Sequence, residues 1–280
     1  RDLPLSLLDE IKLMDLEEYM EYLKCYSTEK REDLMNTERG IMRKVSTVKS
    51  FYDYFYRTER IQNNPASLLQ LPKIHEKEII RLDVDEVARF LDEVEDGECL
   101  TEKQKAYHAK TKLRDLAMMT LLLGTGLRVS ECVGLNINDV DFRNGGLRIH
   151  RKGGKEVIVY FGAEVEYALQ DYLSEREHIV PEEGSEEALF LSMQRKRINV
   201  RSVEKMVKKY AQIVTPLKKI TPHKLRSTYG TNLYRETGDI YLVADVLGHS
   251  DVNTTKKHYA ALEDERRRSA RNKVQLREKE

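Results

Sequence analysis

Nowhere in this 280-residue sequence is there an apolar run that approaches a membrane span. A crossing helix needs about 18 to 20 such residues. The longest run, residues 116–123, already contains Thr120 and stops at Gly124. No membrane association is expected, and no secretory signal pattern is visible. Cysteine is scarce: Cys25, Cys99 and Cys132 form no CxxC pair and are odd in number. The expectation is a reduced, cytoplasmic setting with buried, inert thiols. Metal-ligand spacing is missing too. The seven histidines contain no HExxH and no Hx3–5H pair, the nearest approach being His249 and His258. No carboxylate cluster suggests a two-metal site, and no GxxxxGK[ST] loop is present to cradle a nucleotide. The chain is therefore expected to need neither metal nor cofactor.

What is present is a large, soluble, helix-biased composition. Hydrophobic residues are 40% and charged residues 34%, enough for a sizeable core in one or two domains. Net charge is zero, but its distribution is uneven. Residues 195–226 hold eleven Lys or Arg and one acid, Glu204, while acids are in excess elsewhere. Such a locally basic face is either a solvated helix surface or the footprint of a phosphate-backbone binder.

The first 70 or so residues read as helices. Leu13, Leu16, Tyr19 and Leu23 recur at helical spacing, and so do Ile41, Val45, Val48, Tyr52 and Phe55. Asn64-Pro65 and Leu71-Pro72 punctuate the end of this part. Residues 73–80 lack a period and read as a linker. A new helix begins near Asp83, with Glu86 completing a capping-box pattern and Val84, Val87, Phe90 or Leu91, and Val94 as its buried stripe. Residues 114–123 predict a central helix broken by Gly124-Thr125-Gly126, after which another starts near Arg128. Three short strands follow, at 140–142, 147–150 and 157–161. They are joined by turns at 144–146 and 153–154. Helices are expected again at 163–178, 200–213, 223–237 and 240–247. The tail, 263–280, is highly charged, with Val274 and Leu276 among its few apolar residues, and is either frayed or docked elsewhere.

Against this background one constellation stands out. Arg128 and Glu131 share a helix face in GTGLRVSECVGL. Alone they are an ordinary ion pair. After a Gly-Thr-Gly break they can also form a phosphate clamp, the guanidinium held by the carboxylate. Lys152 sits at a Gly-rich hairpin tip, either simply exposed or swung onto a leaving oxygen. His223 and Arg226 are three apart at a helix start, with Thr221 as the expected cap and Pro222 at the first helical position. A helix N-terminus favours anions. His249 follows Gly248, an expected helix C-cap, and a lone histidine there is also compatible with a structural role. Tyr259 is one of fifteen tyrosines, and its phenol needs a charged site before it can attack phosphorus. Five donors and one tyrosine together point to cutting and rejoining a nucleic-acid strand without metal or ATP.

In this order the segments resemble the tyrosine recombinase (phage integrase) family, of Xer-like or integrative-element type. GTGLRVSECVGLNINDVDF is similar to the family's first catalytic arginine segment and RKGGKEV to its hairpin lysine. TPHKLRSTYGTNL is similar to its HxxR box, and LGHSDVNTTKKHYA to its histidine box and nucleophile segment. GIMRKVSTVKSFYDYFYRTERIQNNPA resembles its N-terminal core-binding domain. The resemblance implies a mainly α fold. A helical, SAM-like core-binding domain at 1–72 is followed by a linker at 73–80. A mixed α/β catalytic domain with a small three-stranded antiparallel sheet spans 81–262, and 263–280 form a tail exchanged between subunits. It further implies site-specific DNA recombination through a 3′-phosphotyrosyl intermediate, in integration and excision or in chromosome dimer resolution.

The same resemblance assigns roles. Arg128 and Arg226 neutralise the scissile phosphate. His223 and His249 bond its oxygens or manage protons, and Lys152 protonates the leaving 5′-oxygen. Glu131 orients the first arginine, and Tyr259 is the nucleophile. The implied partner is double-stranded DNA, held in a C-shaped clamp by a homotetramer on two sites, the free protein being a monomer or weak oligomer. Arg43, Lys44 and Lys49, with Arg195, Arg197, Arg201 and Lys205, are the candidates for backbone contacts. One departure is plain. The family spacing puts tyrosine nine residues after the second histidine, where this chain has His258, and Tyr259 stands at ten. A DNA-binding regulatory protein of the same fold without cleavage is the alternative that this shift supports. A supercoil-relaxing topoisomerase would use the same chemistry.

Overall fold

The computed structural model describes residues 7–28, 31–72, 80–151, 154–248 and 252. Lys152, His249, Tyr259, all but the last residue of the linker at 73–80 and the tail at 263–280 lie outside them. The chain divides into two compact units, Arg1–Glu78 and Ile79–Glu280.

In the first unit, α1 (Leu7–Glu10) and α2 (Leu13–Lys24) are followed by a hairpin of β1 (Cys25–Thr28) and β2 (Arg31–Met35), then α3 (Glu38–Arg57) and a 3-10 turn, Pro65–Leu68. Leu16 and Leu23 of α2 meet Ile41, Val45 and Tyr52 of α3 in one apolar cluster, on the spacing that predicts the two helices. The hairpin corrects the all-helical expectation for this region. Cys25, Tyr26, Ser27 and Thr28 are aromatic, β-branched or small residues that suit a pleated surface better than a helix. Asn36 Nδ2 closes the hairpin base by donating to the Leu23 carbonyl at 2.7 Å.

The second unit starts with α4 (Val84–Asp96), α5 (Glu102–His108), α6 (Lys112–Thr125) and α7 (Val129–Gly134). An antiparallel sheet follows, with strands β3 (Val140–Asp141), β4 (Gly146–His150) and β5 (Glu156–Tyr160) in that order. Then come α8 (Ala163–Arg176), α9 (Val200–Val214), α10 (Pro222–Thr237) and α11 (Ile240–Leu247). The architecture is mainly helical with a small three-stranded sheet, as expected. At α4 the Glu86 half of the expected capping box forms, the Asp83 backbone N–H donating to Glu86 Oε2 at 2.7 Å. The Asp83 carboxylate itself takes the Lys218 ammonium at 2.9 Å, and this bond holds its carboxyl below the usual range. Phe90 and Val94 are buried, but Val84 is exposed because the first helical position faces solvent.

Helix α6 is the central element and packs against α4, α8 and α10. Its Ala117, Met118, Met119, Leu121 and Leu122 are all fully buried, as an all-round apolar helix should be. Near its start lies Asp115, also buried. Arg114 donates to it at 2.6 and 3.0 Å, the Tyr210 hydroxyl at 3.2 Å and Thr111 Oγ1 at 3.3 Å. Burial, and then Asp115, push the Tyr210 phenol up. Removing one partner of a buried ionic group leaves the others uncompensated. Asp115→Ala is therefore expected to cost about 3–5 kcal/mol, read as a lower urea midpoint for this unit at unchanged slope. An unmoved midpoint would show that the network contributes nothing net.

The cysteine expectation holds only for Cys132, which is buried and whose thiol burial pushes up to about 12. Cys25 and Cys99 are exposed, because the hairpin and the loop after α4 that carry them lie at the surface. Among the described residues no helix is long and apolar enough to cross a membrane.

Candidate active site

Three arginines converge on the carboxyl end of α11. The helix closes on Gly248, the expected C-cap, with a φ of 61° in the left-handed region that glycine tolerates. The last carbonyls of a helix lack partners within it, and here guanidinium groups supply them. Arg151 Nη2 donates to the Val246 carbonyl at 3.1 Å, Arg226 Nη2 to that of Leu247, and Arg128 Nη2 to that of Gly248 at 3.1 Å. This end is also the negative pole of the helix dipole, which favours cations.

Arg128 reaches this point because α6 stops at Gly126. That residue has a φ of 64°, and a Cβ there would run into the Tyr229 ring and lie 2.9 Å from Leu247. Leu127 is buried, and Arg128 becomes the cap residue of α7. Glu131, one turn on, accepts from the Arg128 backbone N–H at 2.8 Å and from Arg128 Nη1 at 2.7 Å. The expected pair is thus present, and it is more than a surface pair. The Glu131 side chain is 6% exposed and that of Arg128 41%. The carboxylate is buried beneath a guanidinium that still faces water.

Arg226 rises from α10 and is 5% exposed. Its Nη1 donates to the Gly126 carbonyl at 2.5 Å, so one guanidinium ties the end of α6 to the end of α11. His223 stands one turn earlier on α10 and is exposed. Pro222 takes the first helical position as expected, but the Thr221 side chain makes no cap bond. Its carbonyl instead takes the amides of Lys224 and Leu225.

Arg151 has no place in the constellation read from the sequence. The signal was nonetheless there. Side chains alternate faces along a strand, and β4 buries Leu147 and Ile149 while Arg148 and His150 are exposed. The next inward position is 151. An arginine in the inward register requires a buried partner, and Arg151 finds Glu131, with Nε 3.7 Å from Oε1. Lys152 and His249 follow directly on Arg151 and Gly248 in the chain. With Tyr259 they lie outside the described residues, so the geometry brings together Arg128, Glu131 and Arg226, with Arg151 added.

The candidate DNA contacts divide into engaged and exposed residues. Lys49 Nζ donates to the carbonyls of Ser67 and Leu69 at 3.1 and 2.8 Å, fastening the 3-10 turn to α3. Lys44 lies over the Tyr26 ring at 5.0 Å, and Arg43 is exposed beside it on α3. Arg195 pairs with Glu182 at 2.5 Å. Arg197 donates to the carbonyls of Val133 and Leu135 and to Asn136, holding the end of α7. Arg201 and Lys205 are exposed four residues apart on α9 and so share a face. The basic run is thus partly structural, its free charge concentrated on α9.

Residues 81–266 match the phage integrase family. The chain is 35% identical over 280 residues to tyrosine recombinase XerC of Caldanaerobacter subterraneus subsp. tengcongensis, covering 98% of this chain and 72% of that protein. It is 32% identical over 259 residues to tyrosine recombinase XerD of Oceanobacillus iheyensis, covering 86% and 83%. The crystal structure of XerA recombinase superposes with a TM-score of 0.58 at 28% identity, covering 99% of this chain and 87% of that one. The fold is also that of XerH site-specific recombinase in its post-cleavage complex with difH substrate, at a TM-score of 0.72, 20% identity, and coverage of 94% and 72%. The chain belongs to the phage integrase family and is a tyrosine-type site-specific recombinase.

Proposed function

We propose that the chain cleaves and rejoins double-stranded DNA at specific sites, with Arg128 and Arg226 on the scissile phosphate and Tyr259 as the nucleophile. The observation that carries this reading is the pair of arginine bonds to the adjacent carbonyls of Leu247 and Gly248. Two guanidinium groups from different helices meet at one point. A phosphate offers these guanidinium groups a full opposite charge and paired oxygens that match their planar fork, where a backbone carbonyl offers one neutral oxygen. A DNA phosphate arriving there therefore displaces the carbonyls readily. Relatives named as tyrosine recombinases, and fold neighbours solved on DNA, support the same partner.

In the proposed step the Tyr259 oxygen attacks phosphorus while His223 accepts its proton. The bond to the 5′-oxygen breaks, and Lys152 protonates that oxygen. His249 bonds a nonbridging oxygen, and the arginines meet the charge that builds in the pentacoordinate state. The phosphodiester energy is retained in the 3′-phosphotyrosyl bond, so a 5′-hydroxyl from a partner strand reverses the step. Arg43 and Lys44 in the first unit, with Arg201 and Lys205 on α9, contact the backbone. A homotetramer on two sites performs the exchange, in integration and excision or in chromosome dimer resolution.

The test is covalent trapping on a nicked suicide duplex that carries candidate sites from the protein's own locus, resolved on a denaturing gel. A DNA-linked protein band is expected. Site-specific binding with no band would overturn the reading in favour of a DNA-binding regulatory protein.

A further inference from the structure

Glu131 is a buried carboxylate with two cationic neighbours, and the second of them has no part in the proposed chemistry. Arg128 Nη1 lies 2.7 Å and Arg151 Nε 3.7 Å from the same Oε1 atom. A lone Arg128–Glu131 pair is electrically neutral and would offer an anion little. It would also hold Arg128 tightly, because the attraction between such charges grows as burial lowers the local dielectric. The second arginine changes both conditions. It leaves the group with one net positive charge and divides the carboxylate between two cations.

Arg151 is fixed for this purpose. Its backbone closes the hairpin, with its N–H donating to the Lys155 carbonyl at 2.8 Å and its own carbonyl accepting from Gly154 at 3.2 Å. Its Nη2 is anchored on the Val246 carbonyl. Its side chain is 16% exposed, and the guanidinium occupies the space where a Cβ on Gly248 would fall. One planar guanidinium thus bonds the Val246 carbonyl through Nη2 while its Nε, which makes no hydrogen bond among the described residues, faces Glu131 as a charge 3.7 Å away. A lysine ammonium reproduces this arrangement poorly.

We propose that Arg151 is a positioning residue for Arg128, acting through Glu131 by sharing its charge so that Arg128 is free to engage the phosphate. This rests on the reading of Arg128 as a phosphate ligand. The test compares wild type, Arg151→Ala and Arg151→Lys on two suicide duplexes. One has an ordinary scissile phosphodiester. The other has a methylphosphonate there, in which a methyl group replaces one charged nonbridging oxygen. On the phosphodiester both variants are expected to form adduct about 100-fold more slowly, the scale of a misplaced catalytic group. On the methylphosphonate only one oxygen needs neutralising and Arg226 suffices, so the gap to wild type is expected to close to about threefold. That is a residual of under 1 kcal/mol at 1.4 kcal/mol per tenfold.

An equal defect on both duplexes would overturn the proposal, since a merely structural role ignores the charge of the substrate. Rescue by a 5′-bridging sulfur duplex instead would overturn it too, by moving the effect to the leaving group. If Arg151→Ala does not fold, Arg151→Lys carries the comparison. A wild type inert on both duplexes would overturn the parent reading and this one with it.

Discussion

Tyr259→Phe is expected to form no DNA-linked band on the suicide duplex while retarding the same duplex as well as wild type does. Only the phenol oxygen is lost, so every cation that binds the backbone stays. Removing a covalent nucleophile costs about 10⁶-fold in rate, which places the product below detection. The expectation carries weight because Tyr259 stands ten residues after His249, one more than the family spacing. One residue turns a helix by about 100°, so an uncompensated shift would point the phenol away. The double variant His258→Tyr with Tyr259→Phe settles the register. It is expected to remain inactive, since the proposed role of Tyr259 requires the extra residue to be taken up before the tyrosine. A band from the double variant that the single one lacks would assign the ninth position as productive and sink Tyr259.

The parts of the fold written in local chemistry were legible. Gly126 and Gly248 end helices in the left-handed conformation that residues with a Cβ avoid, and the sequence reading stops helices at both. Glu86 caps α4 from three residues away, and the sheet falls where alternating apolar residues meet Gly-rich turns. What escaped was decided by distant parts of the chain. Lys49 and Arg197 read as charges awaiting a partner. Their partners are carbonyls 18 to 20 and 61 to 64 residues away, which no local pattern reveals. Arg151 was hidden by its neighbours, since Gly153 and Gly154 make the segment look like a turn while the strand register still runs through position 151. The hairpin at β1 and β2 and the seven-residue α5 are too short to set up a period of their own.

Arg226 combines the two kinds of evidence, and its replacement separates structure from chemistry. Arg226→Ala empties a buried site and leaves the Gly126 and Leu247 carbonyls without their donor. An unpaired buried acceptor costs about 1–3 kcal/mol, so this variant is expected to melt early. Its adduct rate would then mix unfolding with lost catalysis. Arg226→Lys keeps a cation on the same helix face, and the ammonium can satisfy one of the two carbonyls. It cannot tie α6 to α11 and also present a planar pair of donors to phosphate. The lysine variant is therefore expected to keep most of the wild-type melting temperature and to lose about 10²–10³-fold in adduct formation, the cost of removing one preorganised donor from a developing oxyanion. Melting curves and single-turnover trapping on the same preparations make the distinction. A lysine variant that traps DNA at the wild-type rate would mean that Arg226 only braces the two helix ends, and Arg128 would then be left to meet the phosphate charge without it.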